Sequence, residues 1–134
     1  MSRRSLLLWG AYFLFAACAL YLNWHERMFD FGGRLGMLKL AVWAALLCFL
    51  AYSAYCSSRE NLFRSIGEIG RLHWGRQIGL DLYLGLSLAL VVVYLNEGAL
   101  AVLLWVIPTL AFANLAILLY FAIHFDAIAD KLLL

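Results

Sequence analysis

Four long apolar stretches alternate with short polar segments along the chain. They occupy residues 5–24, 38–58, 77–96 and 98–125, and each contains at most one Asp, Glu, Lys or Arg residue. About 20 apolar residues are needed for a helix to cross a hydrocarbon core of about 30 Å. The alternating polar positions of a barrel strand are absent from all four stretches. The pattern predicts an all-α, polytopic membrane protein with four transmembrane helices in a single domain, residues 1–134.

The fourth stretch is longer than one crossing requires. At about 1.5 Å per residue, a helix over 98–125 exceeds the hydrocarbon thickness. Pro108 lies inside it and removes one backbone donor, which favours a kink. Dividing the stretch into two crossings would leave each half too short. We therefore expect one tilted or kinked span that continues to the inner interface.

Residues 59–74, between the second and third stretches, have a different pattern. Apolar residues recur at three- and four-residue spacing, and charged residues share the opposite face, which is typical of an amphipathic helix. The apolar positions are Leu62, Phe63, Ile66, Ile69 and Leu72, and the charged ones are Arg64, Glu68 and Arg71. Such a helix either lies in the cytoplasmic interface or packs on the inner end of the helix bundle.

The loop charges predict an orientation. With a cytoplasmic N-terminus, seven of the ten basic residues are inside, namely Arg3, Arg4, Arg59, Arg64, Arg71, Arg76 and Lys131. The positive-inside rule then favours both termini in the cytoplasm of a bacterial-type inner membrane. The turn at 96–98 is so short that the helices on either side of it must be antiparallel neighbours.

Composition supports the membrane class and excludes several others. The chain is 66% hydrophobic and 13% charged, with a net charge of +2, whereas soluble domains are about half apolar and a quarter charged. The sequence contains neither a basic patch nor a recognisable nucleic-acid-binding module, which argues against nucleic acid as a partner. Three cysteines without a C-x-x-C pair argue against a disulfide framework or a zinc site.

His25, Glu26 and Asp30 fit a solvated loop better than a cation site, and we expect no metal and no cofactor.

A few ionisable residues lie at membrane depth, where they are costly and therefore candidates for function. Asp81 falls just inside the third stretch, and Gln77, one helical turn earlier, is spaced to hydrogen-bond its carboxylate. His124 and Asp126 end the fourth stretch. In the predicted topology these residues and Arg76 converge at the inner end of the bundle, as a proton-linked or cation-binding site would require. The alternative is a structural ion pair at the helix ends.

Other residues suggest close helix contacts. Gly85 and Ala89 place small residues one turn apart, and Asn114 is a central amide that needs a partner in lipid. Together with Pro108 they are the candidates for helix packing. No nucleophile has a base near it in sequence, and no phosphate-binding loop is present.

These observations lead to three functional hypotheses. The first is a non-enzymatic accessory, scaffold or regulatory subunit that acts through helix packing in the lipid bilayer, with itself or with a larger protein partner. The second is a minimal oligomeric transporter or channel that uses Asp81. The third is an enzyme acting on lipid head groups at the inner interface, with Arg71, His73 and Arg76 as phosphate contacts.

Overall fold

The computed structural model describes residues 3–24, 29–32 and 35–133. This part of the chain contains seven helices and no strand. The helices are α1 (Arg3–Leu22), α2 (Gly36–Arg59), α3 (Leu62–Ile69), α4 (His73–Glu97), α5 (Ala99–Phe112), α6 (Asn114–Ile123) and α7 (Phe125–Leu133). The prediction of an all-helical chain is confirmed for these residues.

Three of the helices, α1, α2 and α4, are long and apolar enough to cross a membrane. Each contains 20 to 25 residues, which corresponds to about 30–38 Å of helix. Few of their side chains are buried in the protein. In α4, for example, only Leu86 and Val93 are buried. Lipid is therefore the natural environment of these surfaces, as expected of a membrane protein.

The fourth predicted span, 98–125, is not one continuous helix. The chain breaks at Ala113, where φ is 51° and ψ is −124°, and α5 and α6 on either side contain 14 and 10 residues. Pro108, the predicted kink, lies within α5 instead. Each half is too short to cross a bilayer, at about 21 Å and 15 Å.

The two halves form a helical hairpin, in which α6 returns toward the end where α5 began. Tyr83 of α4 donates a hydrogen bond to the Leu110 carbonyl near the end of α5, at 3.2 Å. Ten residues later, Tyr120 of α6 is bonded to Asn96 and Glu97 at the end of α4. Because α4 is continuous between these contacts, the chain reverses direction at Ala113. The antiparallel packing predicted for the short 96–98 turn is present between α4 and α5.

The hairpin is the centre of the molecule. Seven of the ten residues of α6 are buried, and α2 packs along this helix while α4 packs along α5. Helix α1 contacts the hairpin through aromatic edges: Tyr12 meets Phe112 at 5.0 Å and Phe15 meets Trp105 at 5.1 Å between ring centroids. Such edge-to-face pairs contribute about 0.5–1.5 kcal/mol each beyond the area they bury.

The reversal also determines where α7 lies relative to the start of α1. Trp9 of α1 donates to Ser57, near the end of α2, at 2.9 Å, whereas Asp126 of α7 pairs with Lys39, near the start of α2. Helix α7 therefore lies at the opposite end of the molecule from the start of α1. The sequence predicted both termini on one side, because it counted 98–125 as a complete crossing.

The amphipathic segment is shorter than predicted. Helix α3 covers Leu62–Ile69, while Arg59 belongs to α2 and His73 already belongs to α4. The Asn61 side chain begins α3 by accepting a hydrogen bond from the Phe63 amide at 3.0 Å. At its other end, a Cβ atom at Gly75 would collide with the Ile69 carbonyl. The tight α3–α4 turn therefore requires glycine at this position.

Candidate functional site

The structure separates the predicted site residues into two groups at different levels of α4. His124 Nε2 lies 3.1 Å from Glu97 Oε1 at the end of that helix. Asp81 is sixteen residues earlier in the same helix, about 24 Å away along its axis. The predicted convergence of Asp81 and Arg76 with His124 and Asp126 does not occur, because α6 runs back toward Glu97 instead of continuing to the other side.

His124 and Asp126 belong to a polar cluster that joins four helices, and we define it as Lys39, Asn96, Glu97, Tyr120, His124 and Asp126. The Lys39 ammonium is 2.9 Å from an Asp126 carboxylate oxygen and also donates to the Asp30 carbonyl. Tyr120 accepts a hydrogen bond from the Asn96 amide and donates one to Glu97, both at 2.9 Å. The cluster thus connects the start of α2 and the end of α4 with α6, the second helix of the hairpin, and with α7, which follows it.

Burial within this cluster is uneven. The side chains of Lys39 and His124 are only 1% and 2% exposed, whereas those of Asp126 and Glu97 are 47% and 37% exposed. A buried ammonium in a membrane protein needs a paired charge and further hydrogen bonds, and Lys39 has both. The cluster therefore acts as an electrostatic clamp that holds the returning hairpin against α2 and α4.

A cavity of about 540 Å³ lies at the opposite end, beneath the hairpin tip, and we call it the tip cavity. It is bounded by α1, α2, α3, α4 and the tip residues 111–115, and Asn114 is the first residue of α6 within this lining. Non-helical backbone at membrane depth is tolerated only where it is buried in protein or lines a cavity. The break at Ala113 meets that condition.

Six of the nineteen described residues that line the tip cavity are aromatic. The six aromatic residues are Trp9, Tyr12, Phe49, Tyr52, Tyr83 and Phe112. Glu60 is the single charged side chain among the lining residues in the described part of the chain. Its carboxylate accepts a hydrogen bond from the Ser65 hydroxyl of α3 at 3.1 Å, which holds it at the rim.

The remaining transport candidates lie on the surface of α4. Asp81 and Gln77 are both exposed. Neither side chain forms an ion pair or hydrogen bond with another described residue, so the predicted bond between them is not formed. Arg76 donates to the Gly70 carbonyl at 2.7 Å and thereby supports the α3–α4 turn.

The packing candidates do not form one interface inside the chain. Gly85 is exposed, and a Cβ atom added there would meet nothing within 4 Å. Ala89 and Pro108 are half-buried, while Asn114 is exposed at the tip. His25 and Glu26, considered for a cation site, lie outside the described residues, and the described residues contain no group of three metal-ligating side chains.

Sequence reasoning missed Lys39, Glu97 and Tyr120 as partners of His124 and Asp126. Lys39 was visible as a lone charge at the start of an apolar stretch, which is the signal for an intramembrane ionisable group. Its pairing with Asp126, 87 positions later, depends on the hairpin. The chain matches no protein-family model, no curated protein and no solved structure.

Proposed function

We propose that the protein is a small, non-enzymatic accessory subunit of the membrane that binds a larger membrane protein through one face of α4. The observation that carries this proposal is an exposed stripe formed by Gln77, Asp81 and Gly85, which follow one another at four-residue spacing and so share a face. We call these three residues the α4 stripe.

A carboxylate on this surface is costly in lipid. Asp81 is eight residues from the start of α4, about 12 Å along the helix, and its short side chain reaches less far toward water than Lys or Arg. Charged residues in spanning segments normally face a partner or a water-filled space. A partner helix with a basic or amide side chain at this depth would satisfy Asp81.

Gly85, one turn further into the span, supports the same conclusion. The space around it is open, so a second helix can approach the α4 backbone closely, as at small-residue interfaces in membranes. A symmetric dimer through this stripe would place two Asp81 carboxylates at the same depth, because the same surface is used twice. That repulsion favours a partner with a different sequence over a second copy.

The described basic residues support an orientation for this proposal. Six arginines lie at the end of the molecule that holds the tip cavity, against Lys39 and Lys131 at the other end. They are Arg3, Arg4, Arg59, Arg64, Arg71 and Arg76. In our proposal this end is cytoplasmic, α3 lies in the cytoplasmic interface, and the C-terminus is on the outer side of a bacterial-type inner membrane.

The test is the partner content of the tagged protein, extracted from its own membrane in mild detergent and weighed by native mass spectrometry. We expect a stoichiometric partner of different sequence. Gly85→Leu should reduce its recovery at least about tenfold, equivalent to about 1.4 kcal/mol of binding free energy, because the added side chain separates the helices. Asp81→Asn should have a milder effect, since the amide can still hydrogen-bond.

Gly10→Leu is the matched control. Gly10 is also exposed on a spanning helix, and nothing lies within 4 Å of an added Cβ atom there, but it belongs to α1. Retention of the partner in Gly10→Leu and its loss in Gly85→Leu support the α4 stripe. Recovery of monomers or homo-oligomers alone, or equal recovery in both variants, contradicts the proposal.

A further inference from the structure

The tip cavity has the features of a ligand site that is separate from the α4 stripe. Its volume of about 540 Å³ falls within the range of about 300–1,000 Å³ that is usual for small-molecule pockets. Such pockets combine an apolar wall with a few polar groups that orient the ligand. Here the described lining contains six aromatic residues, and its polar members are Ser53, Ser57, Glu60, Ser65 and Asn114.

The wall is held in place by its own contacts. The Trp9 indole donates to the Ser57 hydroxyl at 2.9 Å, which connects α1 to α2. The Tyr12 hydroxyl donates to the Leu115 carbonyl at 3.2 Å, and the Tyr83 hydroxyl donates to the Leu110 carbonyl at 3.2 Å. These bonds orient rings from α1 and α4 toward the hairpin tip, so the wall is formed before a ligand arrives.

The charge of the lining selects the kind of ligand. Aromatic faces attract cations through their quadrupole, and Glu60 adds a negative charge at the rim. No lysine or arginine is found among the lining residues within the described ranges. Arg64 of the neighbouring α3 is outside the lining and pairs with Glu68 at 3.6 Å.

From this combination we propose that the tip cavity binds one apolar organic cation per chain, with its aromatic or alkyl groups against the rings and its positive charge toward Glu60. This occupant fits better than an anionic lipid, whose head group would face the Glu60 carboxylate. The proposal does not depend on the α4 stripe, which lies outside the residues that line the cavity.

Two ions of the same shape and opposite charge provide the test. Binding of tetraphenylphosphonium and of tetraphenylborate to the full-length protein is measured by isothermal titration calorimetry in one non-ionic detergent. We expect one tetraphenylphosphonium per chain, with affinity at least about tenfold higher than for tetraphenylborate. Glu60→Gln should weaken tetraphenylphosphonium about threefold to tenfold and leave tetraphenylborate unchanged, because Glu60 is exposed and partly screened.

Ser53→Phe and Ser58→Phe locate the binding. Both residues belong to α2, but Ser53 lines the cavity and Ser58 does not. Filling the cavity in Ser53→Phe should abolish tetraphenylphosphonium binding, and Ser58→Phe should bind this ion like the unchanged protein. Uptake of the ion by the detergent micelles is the same for both variants. Equal affinity for the two ions overturns the charge preference, and unchanged binding in Ser53→Phe overturns the location. If Ser53→Phe does not fold, Glu60→Gln decides by itself.

Discussion

Ala113 shows how a single residue determines the path of the chain. Among the described non-glycine residues, Ala113 alone has a positive φ, of 51°. A backbone conformation with positive φ costs a residue with a Cβ atom about 1–3 kcal/mol. The structure maintains it because α5 and α6 are packed on both sides of the turn, by α4 and α2 respectively. Nothing in the local sequence announces it, since alanine is among the best helix formers.

Replacing this alanine with glycine should therefore stabilise the protein. Ala113→Gly relieves the left-handed strain, and after subtracting about 0.5–1 kcal/mol for the greater freedom of glycine in the unfolded chain, we expect a gain of about 1 kcal/mol. The measurement is unfolding in mixed micelles with increasing sodium dodecyl sulfate, followed by tryptophan fluorescence.

Ala111→Gly is the control for that substitution. Ala111 is exposed within the last turn of α5, where glycine should destabilise by up to about 1 kcal/mol. Destabilisation of similar size in both variants would mean that the backbone at residue 113 is not strained.

At the scale of the helices, the polar cluster fixes the position of the end of α6 relative to α2 and α4. The hydrophobic effect does not distinguish lipid from protein neighbours inside a bilayer, so helix association there depends on packing and hydrogen bonds. Lys39, Tyr120 and Asp126 supply such bonds between α2, α4, α6 and α7. These bonds stabilise the arrangement in which α6 returns to this end of the molecule.

A double-mutant cycle with Lys39→Met and Asp126→Ala should measure this clamp. We expect a coupling free energy of about 1 kcal/mol, since Lys39 is buried but Asp126 is half-exposed and screened by solvent. The free energies come from the same unfolding titration.

The Arg64–Glu68 pair is a suitable reference for the cycle. Its side chains are exposed and 3.6 Å apart within α3, so its coupling should not exceed about 0.5 kcal/mol. Equal coupling in the two pairs would show that the Lys39–Asp126 bond does not act as a clamp.

At the scale of the whole molecule, the reversal leaves the start of α1 and helix α7 at opposite ends of the described structure. Three helices are long and apolar enough to span a membrane, and α6 returns to the end of the structure where α5 begins. In the topology that we propose, three crossings separate the termini, whereas the four crossings predicted from the sequence keep them together.

Cysteine labelling on intact cells distinguishes the two topologies. In a variant with Cys18, Cys48 and Cys56 replaced by serine, single cysteines are introduced as Arg4→Cys and Asp130→Cys. We expect a membrane-impermeant maleimide to label residue 130 and to label residue 4 only after the cells are broken. Equal protection of both positions would show that 98–125 crosses the membrane after all.

Sequence alone determined the properties that depend on local composition. The apolar stretches at 5–24, 38–58 and 77–96 correspond to α1, α2 and α4 within a few residues, because length and hydropathy suffice to predict a helix that suits lipid. The amphipathic pattern likewise marked α3. The individual charges Asp81, His124 and Asp126 were also visible, because a charge in an apolar stretch is conspicuous by itself.

Only the tertiary structure decided how those pieces combine. The break at Ala113, the aromatic wall of the tip cavity and the Lys39–Asp126 pair join residues from helices far apart in the chain. The stretch 98–125 is apolar whether it crosses the bilayer or turns back within the bundle. Its path depends on which helices surround it, and hydropathy measures affinity for an apolar environment without distinguishing lipid from protein.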